Sequence, residues 1–583
     1  MSAKKRHPRG SPSGLRAAWG APQVKPASPR QTVQVRFPNG ELYEAPVGTS
    51  LEEFIRAARL NHATSIVAAL VDGRLRELTW PVTRDVEVTP LSMATGDGMR
   101  IYRRSLCFLL IVAARELFPQ TRISIDHSLT LGGLFCRAIG REPFSEEELT
   151  RLEERMREIV EADEPISRQE LPLPQAIELF QKQGYESKVR LLSYRRKDYL
   201  PIYTLRGVHD YFYGYMVPST GYLRYFALHP YPPGFILRFP ARYKPTGLSP
   251  FHDFPRLAAI FQEYGQWMEA MEIKDVGMLN QAVERDRIRE VVLVAEALHE
   301  QRIAEIAREI ASREQVRLVL IAGPSSSGKT TFAKRLAIQL LANGIRPLPL
   351  SLDDYFLNRE ETPRDEQGEY DFESLRAVDL ELFNHQLQEL MAGREVTLPR
   401  YDFLAGKRHQ GPTVAISPQH VILVEGIDGL NPDLVPAIPQ ERIYRIYISA
   451  LTQLNLDCHN RIPTTDIRLL RRIVRDARER GSSALETISR WEKVVHGEFR
   501  NIFPYQENAD AMFNSALVYE LAVMKSFAEP LLRQIDPGTV EYVEARRLLA
   551  FLEWFLPCEA RLVPDNSILR EFIGGSILRD FLP

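Results

Sequence analysis

Cysteine, net charge and long apolar runs are all scarce in this chain, and each shortage excludes a class of protein. Only four cysteines occur in 583 residues. Cys107, Cys136, Cys458 and Cys558 are too widely separated for a Cys-x-x-Cys ligand pair or a disulfide framework, which fits a reducing cytoplasm. A formal charge of −2 leaves no chain-wide basic footprint of the kind that binds nucleic acid. No apolar run reaches the ~20 residues of a membrane helix. The longest candidate, Leu106 to Ala113, is far too short, so no membrane partner is expected. Residues 1–30 carry Lys4, Lys5, Arg6, Arg9, Arg16, Lys25 and Arg30 among Pro, Ser and Gly. They lack the apolar core of a secretion signal and read as a disordered basic arm.

What is present is the composition of a globular protein, 44% hydrophobic and 26% charged, over a length that demands several domains. The most informative stretch is residues 316–331. There Gly323-x-x-x-x-Gly328-Lys329-Thr330 follows the apolar run Val316–Ile321 and precedes a helical pattern (Phe332, Leu336, Leu340) with Arg335 on the polar side. A strand, a glycine-bounded loop and a helix in that order form a phosphate-binding P-loop. The backbone from Gly323 through Ser325, Ser326, Ser327, Gly328 and Thr331 turns N–H groups toward phosphate oxygens, helped by the positive end of the helix. Lys329 is expected to reach the β- and γ-phosphates of ATP, and Thr330 to ligate Mg²⁺.

Three further apolar runs follow. Pro347–Leu352 ends at Asp353-Asp354, Val421–Val424 at Glu425-Gly426, and Ile443–Ile448 continues the sheet. In an open α/β sheet, ligands bind beyond the carboxyl ends of the strands. Asp353 therefore stands where an acceptor hydroxyl meets the γ-phosphate, and Glu425 where a carboxylate supports Mg²⁺. Arg468, Arg471 and Arg475, spaced i, i+3, i+7, share one face of an arginine-dense helix that can close over transferring phosphates.

In this order the segments Gly-Pro-Ser-Ser-Ser-Gly-Lys-Thr-Thr, Ser351-Leu-Asp-Asp-Tyr-Phe356, Pro399-Arg-Tyr-Asp-Phe403, Val424-Glu-Gly426 and Thr465-Asp-Ile-Arg-Leu-Leu-Arg-Arg472 resemble the uridine kinase and phosphoribulokinase family, over residues 316 to about 530. The resemblance implies that Asp353 is the catalytic base and that Tyr355, Tyr401 and Phe403 shape the acceptor pocket. It also implies that Glu425 supports Mg²⁺, that the lid arginines clamp phosphates, and that the protein assembles as a homo-oligomer. One departure stands out. Where uridine kinases carry a base-contacting His after Tyr-Asp-Phe, this chain has Gly406, and His409 lies three residues further on. Losing a polar partner of that kind weakens selection of uridine.

The front half reads differently. A period-two strand (Thr32–Phe37), a turn at Pro38-Asn39-Gly40, a capped helix from Leu51, and strands at Ile66–Val71 and from Val86 resemble the ubiquitin-like TGS module of threonyl-tRNA synthetases. Residues 95–240 resemble the synthetase's editing domain. The positions of its histidine pair and later Cys and His read Arg104, Phe108, Phe212 and Met216, so its chemistry is expected to be lost. Tyr194, Tyr199, Tyr203 and Tyr211–Tyr215, near Arg195, Arg196 and Lys197, offer a surface for RNA or tRNA contact, or a β-domain core. Leu279–Ala311 is expected to be one long helix docking the halves.

The expected architecture is thus multidomain, α/β and α+β. It comprises a basic tail (1–30), a TGS-like domain (31–94), an α+β editing-like domain (95–240), a helical linker (241–314), a P-loop parallel-sheet domain with flanking helices (315–535) and a helical C-terminal segment (536–583). The expected activity is a cytoplasmic, ATP- and Mg²⁺-dependent kinase acting on a nucleoside or similar small-molecule hydroxyl. The rivals are a kinase for a sugar phosphate or pantothenate-like alcohol, and an RNA-sensing regulator that uses ATP as a switch.

Overall fold

The computed structural model describes residues 28–60, 62, 64–129, 132–365, 368–403, 405–417 and 419–581. The basic arm up to residue 27 lies outside them, as does Leu404 beside the acceptor motif.

Alternation in Thr32–Arg36 buries Val33 and Val35, and this strand pairs antiparallel with Leu42–Pro46 and parallel with Val86–Ser92. Ile66–Val71 and Arg74–Glu77 complete a five-stranded mixed sheet. One helix, Leu51–Ala58, packs Leu51, Phe54 and Ile55 onto it and is fastened by a Ser50–Glu53 capping box. The next domain is built on the helix Gly96–Leu117, which starts eight residues before Arg104 because Thr95 caps it. That helix and Glu146–Glu161 pack beside a four-stranded sheet (Arg122–Leu129, Gly133–Ile139, Ala227–Tyr231, Gly234–Arg238) and a three-stranded one (Ser167–Pro172, Tyr199–Leu205, Val208–Asp210). Phe108 and Phe212 pack as an aromatic pair, centroids 5.5 Å apart, and Met216 is buried; Arg104 instead turns its guanidinium to the Tyr215 carbonyl.

The expected linker helix is two helices, Val276–Glu284 and Ile288–Ser312. The chain breaks at Arg285-Asp286-Arg287, where Asp286 takes a left-handed φ of 59°, which a continuous helix does not tolerate. The second helix is part of the kinase core. Arg335, expected on the polar side of its helix, is buried there between Glu300 (2.7 Å) and Glu296 (3.4 Å).

The C-terminal sheet is five-stranded and entirely parallel. Its order is Arg346–Ser351, His420–Gly426, Leu318–Ala322, Ile443–Ser449, Ala511–Asn514. A parallel sheet covered on both faces needs unbroken apolar strands, and Leu318–Ala322 and Ile443–Ser449 are buried throughout. One apolar core runs without a break from Phe180 and Leu192 of the second domain, through Val276 and Ile303, to Val319 and Phe572. Among the described residues no helix is long and apolar enough to cross a membrane.

Candidate active site

The P-loop leaves the central strand at Gly323, where any side chain would collide with the Ile448 carbonyl: a Cβ would lie 1.9 Å from its oxygen. Ser326 (φ 60°) and Gly328 (φ 89°) both take the left-handed conformation, which turns successive amides into one concavity. The helix Lys329–Ala342 starts there with its first N–H groups unclaimed by the helix itself. The Ser326 and Ser327 hydroxyls are buried without a partner among the described residues, and the Lys329 ammonium folds back on the Gly323 (2.9 Å) and Pro324 (3.4 Å) carbonyls. A polyphosphate fits this cradle, because it would give each of those orphaned groups an acceptor.

Two of the loop amides are already engaged by carboxylates that the linear pattern does not reveal. Ser325 N–H donates to Glu498 Oε1 (3.0 Å), and Thr331 N–H donates to Glu571 Oε2 (3.1 Å). Glu571 belongs to the C-terminal segment, whose Ile568 packs directly on Gly328.

Thr330 Oγ1 donates to Glu425 Oε1 (3.3 Å), and Ser351 Oγ lies 3.4 Å from the same oxygen. Burial pushes the Glu425 carboxyl up to about 7, against the pull of Lys329. Two hydroxyls around a carboxylate make a hard-oxygen set suited to Mg²⁺.

The two aspartates after Arg346–Ser351 separate by role. Asp354 accepts from Arg400 (2.6 Å) and the Tyr401 N–H (3.2 Å), tying down the hairpin Val396–Asp402/Lys407–Val414. Asp353 makes no side-chain hydrogen bond among the described residues. Burial raises its pKa while Lys329 opposes the rise, with Arg480 and Arg475 also acting on it. Two further carboxyls surround it, and both lacked a motif to mark them. Asp428 and Glu373 are each pushed up to about 7, chiefly by burial.

The arginine face of the helix Thr464–Glu479 divides. Arg468 and Arg471 are among the most deeply buried side chains of the molecule. Arg468 pairs with Glu498 and donates to the Ser325 carbonyl (2.9 Å); Arg471 pairs with Glu520 (2.7 Å) and donates to the Ser515 carbonyl (2.8 Å). Both brace the P-loop from behind and are not exposed to the phosphate side. Arg475 gathers with Arg472 and Arg480 around Asp476. Arg472 donates to the Ser325 hydroxyl at 2.9 Å. A spacing of i, i+3, i+7 puts side chains on one stripe but does not say which stripe faces the ligand.

The aromatic residues divide similarly. Tyr355 points into the core, donating to Gln386 (2.9 Å) and packing on Phe383. Its neighbour Phe356 joins Tyr401 and Phe403, with centroids 5.8 and 6.3 Å away. Gly406 (φ 66°) leaves no side chain, and the Arg359 guanidinium fills the space, its Cζ 2.8 Å from where a Cβ would be.

A parallel sheet with a P-loop on its central strand, a carboxylate at the next strand end and an arginine helix closing behind defines a P-loop kinase. Residues 318–522 match the Phosphoribulokinase / Uridine kinase family, and this segment is a domain of that family. The N-terminal half is similar to threonine–tRNA ligases. That of Geobacter sp. (strain M21) is 29% identical over 196 residues, and that of Paraburkholderia xenovorans (strain LB400) 30% over 199. Each match covers 34% of this chain and 31% of the ligase, so the chain spans about a third of the length of those relatives. Among solved structures, a possible uridine kinase from Bacillus stearothermophilus is 24% identical, with 34% of this chain and 88% of that chain covered at a TM-score of 0.23. A D-glycerate 3-kinase from Cryptococcus neoformans is 15% identical, with 43% and 87% covered at 0.21.

Proposed function

We propose that the kinase domain transfers the γ-phosphate of ATP to a hydroxyl of a nucleoside of the uridine or cytidine type, or of a similar small metabolite. The observation that carries this reading is Asp353, unpaired at a strand end beside Lys329 and the Thr330–Glu425 pair. Magnesium nucleotide, when bound, supplies the phosphoryl group and screens its charge. Thr330 and Glu425 would hold the metal, and the amides from Ser326 to Thr331 would orient the phosphate oxygens. Lys329 leaves its two carbonyls for those oxygens. Asp353 takes the acceptor's proton, and Arg472, Arg475 and Arg480 neutralise charge on the transferring group. Phe356, Tyr401 and Phe403 form an apolar wall for a flat acceptor. The direct test is Mg²⁺-dependent ATP turnover by the full chain across nucleosides, sugar phosphates and vitamin-like alcohols, beside Asp353→Asn. Loss of turnover by ~10²–10⁴ with ATP binding retained is expected. Near-parental turnover in the variant removes Asp353 from the role.

Arg359 over Gly406 favours a second reading, an acceptor that itself carries a negative group. A guanidinium there suits phosphate or carboxylate better than a neutral base edge. The same acceptor panel separates the two. Likeness to threonine–tRNA ligases supports RNA contact by the N-terminal half, where Tyr199, Tyr203, Arg195, Arg196 and Lys197 line one groove. Steeply salt-dependent tRNA affinity is expected there.

A further inference from the structure

A cavity of about 340 Å³ lies where the TGS-like domain, the editing-like domain and the kinase's C-terminal helices meet. No P-loop residue and no candidate catalytic residue of the kinase lines it, whereas Arg104 and Phe212, which stand at two of the editing positions, do. Its walls come from Gly73–Arg76, the start of helix Gly96–Leu117, Phe212–Tyr215, the loop Leu456–Pro463 and the helix Glu541–Leu552. That size is in the range of small-molecule sites.

Its charge is unusual. Eight arginines line it against two acidic residues, Asp97 and Asp466. Arg100 is neutralised by Asp97 and Glu544, and Arg547 by Asp466 and Glu544. The other six, Arg74, Arg76, Arg103, Arg104, Arg461 and Arg546, make no ion pair among the described residues. Two of these, Arg103 and Arg461, have a buried Nε with no hydrogen-bond partner among the described residues. Burial brings the Arg103, Arg104 and Arg461 guanidiniums down to about 10. Arg74 and Arg546 are solvent-exposed, and Arg76 and Arg104 donate to the Tyr215 hydroxyl and carbonyl, but Arg103 and Arg461 are desolvated without an ion pair among the described residues, a cost that the Phe239 ring beside Arg103 offsets only in part. Such an arrangement is explained by a ligand that supplies the missing anion. The remaining wall mixes apolar side chains (Ile101, Leu134, Phe212, Phe551) with Tyr215, His459 and Asn460, which suits a compact molecule with a non-polar part.

We propose that this cavity is a binding site for a small metabolite carrying two or more phosphoryl groups, held by Arg103, Arg104 and Arg461 and distinct from the P-loop. Confinement within three walls of the fold, with the unpaired cations inside and a chain that is close to neutral, favours a small molecule over a nucleic-acid strand. The site also touches the kinase machinery. Arg461 and Asp466 stand at the start of the helix Thr464–Glu479, and Arg471, which braces the P-loop, is ~7.5 Å further along it.

Inorganic pyrophosphate is the probe. The full chain carrying Lys329→Ala, which disables the P-loop, is titrated by calorimetry beside the double variants that add Arg103→Leu or Arg461→Leu. The Lys329→Ala protein is expected to bind one pyrophosphate and to gain Tm from it, and each double variant to lose affinity by about tenfold or more. Without ligand, the double variants should melt no lower than Lys329→Ala, because they remove uncompensated charge; this identifies them as folded. No binding by Lys329→Ala at millimolar pyrophosphate overturns the proposal, as does binding that both arginine changes leave unaltered. An RNA oligonucleotide that binds through Arg103 and Arg461 while pyrophosphate does not also overturns it.

Discussion

His459 of the kinase domain donates from Nδ1 to Asp210 of the editing-like domain across 2.6 Å, and both side chains are buried. Its Nε2 faces the Ile123 carbonyl at 3.2 Å, so both ring nitrogens meet acceptors and the ring is held as the cation. The same carboxylate pairs with Lys188 (3.0 Å), which reaches Asp457 (3.1 Å). A four-residue buried network thus joins two domains of different ancestry.

Removing Asp210 strands two buried cations, so Asp210→Ala should cost ~3–5 kcal/mol and loosen the junction. The pH dependence has two signs. The His459 pKa is raised, so its contribution is complete below the ordinary histidine value and is lost as pH rises through the folded value. Asp210 is held down to about 2 despite burial, by Lys188 and then His459, so its share is present above the ordinary aspartate value and lost only as pH falls toward 2. Hydrogen exchange at Ile123 and Tyr211 from pH 6 to 9 should show faster opening at the alkaline end; a flat profile would count against a charged His459.

Arg471 and Arg475 sit one turn apart and should fail in different ways. Arg471→Ala leaves Glu520 buried and unpaired, predicting a loss of ~3–5 kcal/mol in stability. Arg475→Ala should lower kcat for phosphoryl transfer by about tenfold or more while Tm changes little. Melting curves and steady-state kinetics on the two variants distinguish bracing from charge neutralisation.

Glu571 occupies the Thr331 amide that a bound phosphate would use, and it places negative charge at the helix N-terminus. Glu571→Gln should therefore tighten ATP binding several-fold at low salt, with a smaller gain as salt is raised. Unchanged or weaker binding would mean that the segment supports the nucleotide site instead of competing with it.

Asp428 is buried with one carboxylate oxygen unpartnered among the described residues, and its pKa is raised to about 7 by burial, then by Asp353 and Asp371. The folded state holds a proton that the unfolded state releases, so this group destabilises the fold increasingly as pH rises through about 4 to 7. Asp428→Asn cannot ionise. Its Tm should exceed that of the parent at pH 8 and approach it at pH 5.

The linear order of residues was enough to locate the P-loop, its flanking strand and helix, and the division into a synthetase-like front and a kinase back. Those features are local, or repeat a strand-then-loop pattern in which each candidate group follows directly on an apolar run. Even Asp353 could be preferred to Asp354 from its motif, although the partner that engages Asp354 lies 46 residues away.

Tertiary structure alone decided which way side chains face when a period leaves two choices. Arg468 and Arg471 turn inward because Glu498 and Glu520 await them, 30 and 49 residues on. Arg335 turns to Glu296 and Glu300 on a helix that the linear pattern gave as part of a linker docking the two halves. Glu571 reaches Thr331 across 240 residues, and the arginine cavity draws on three separate domains. Hydrophobic periodicity records how much of an element is buried. It carries no record of which distant carboxylate will meet a buried cation, or whether any will; that is set when the domains close on one another.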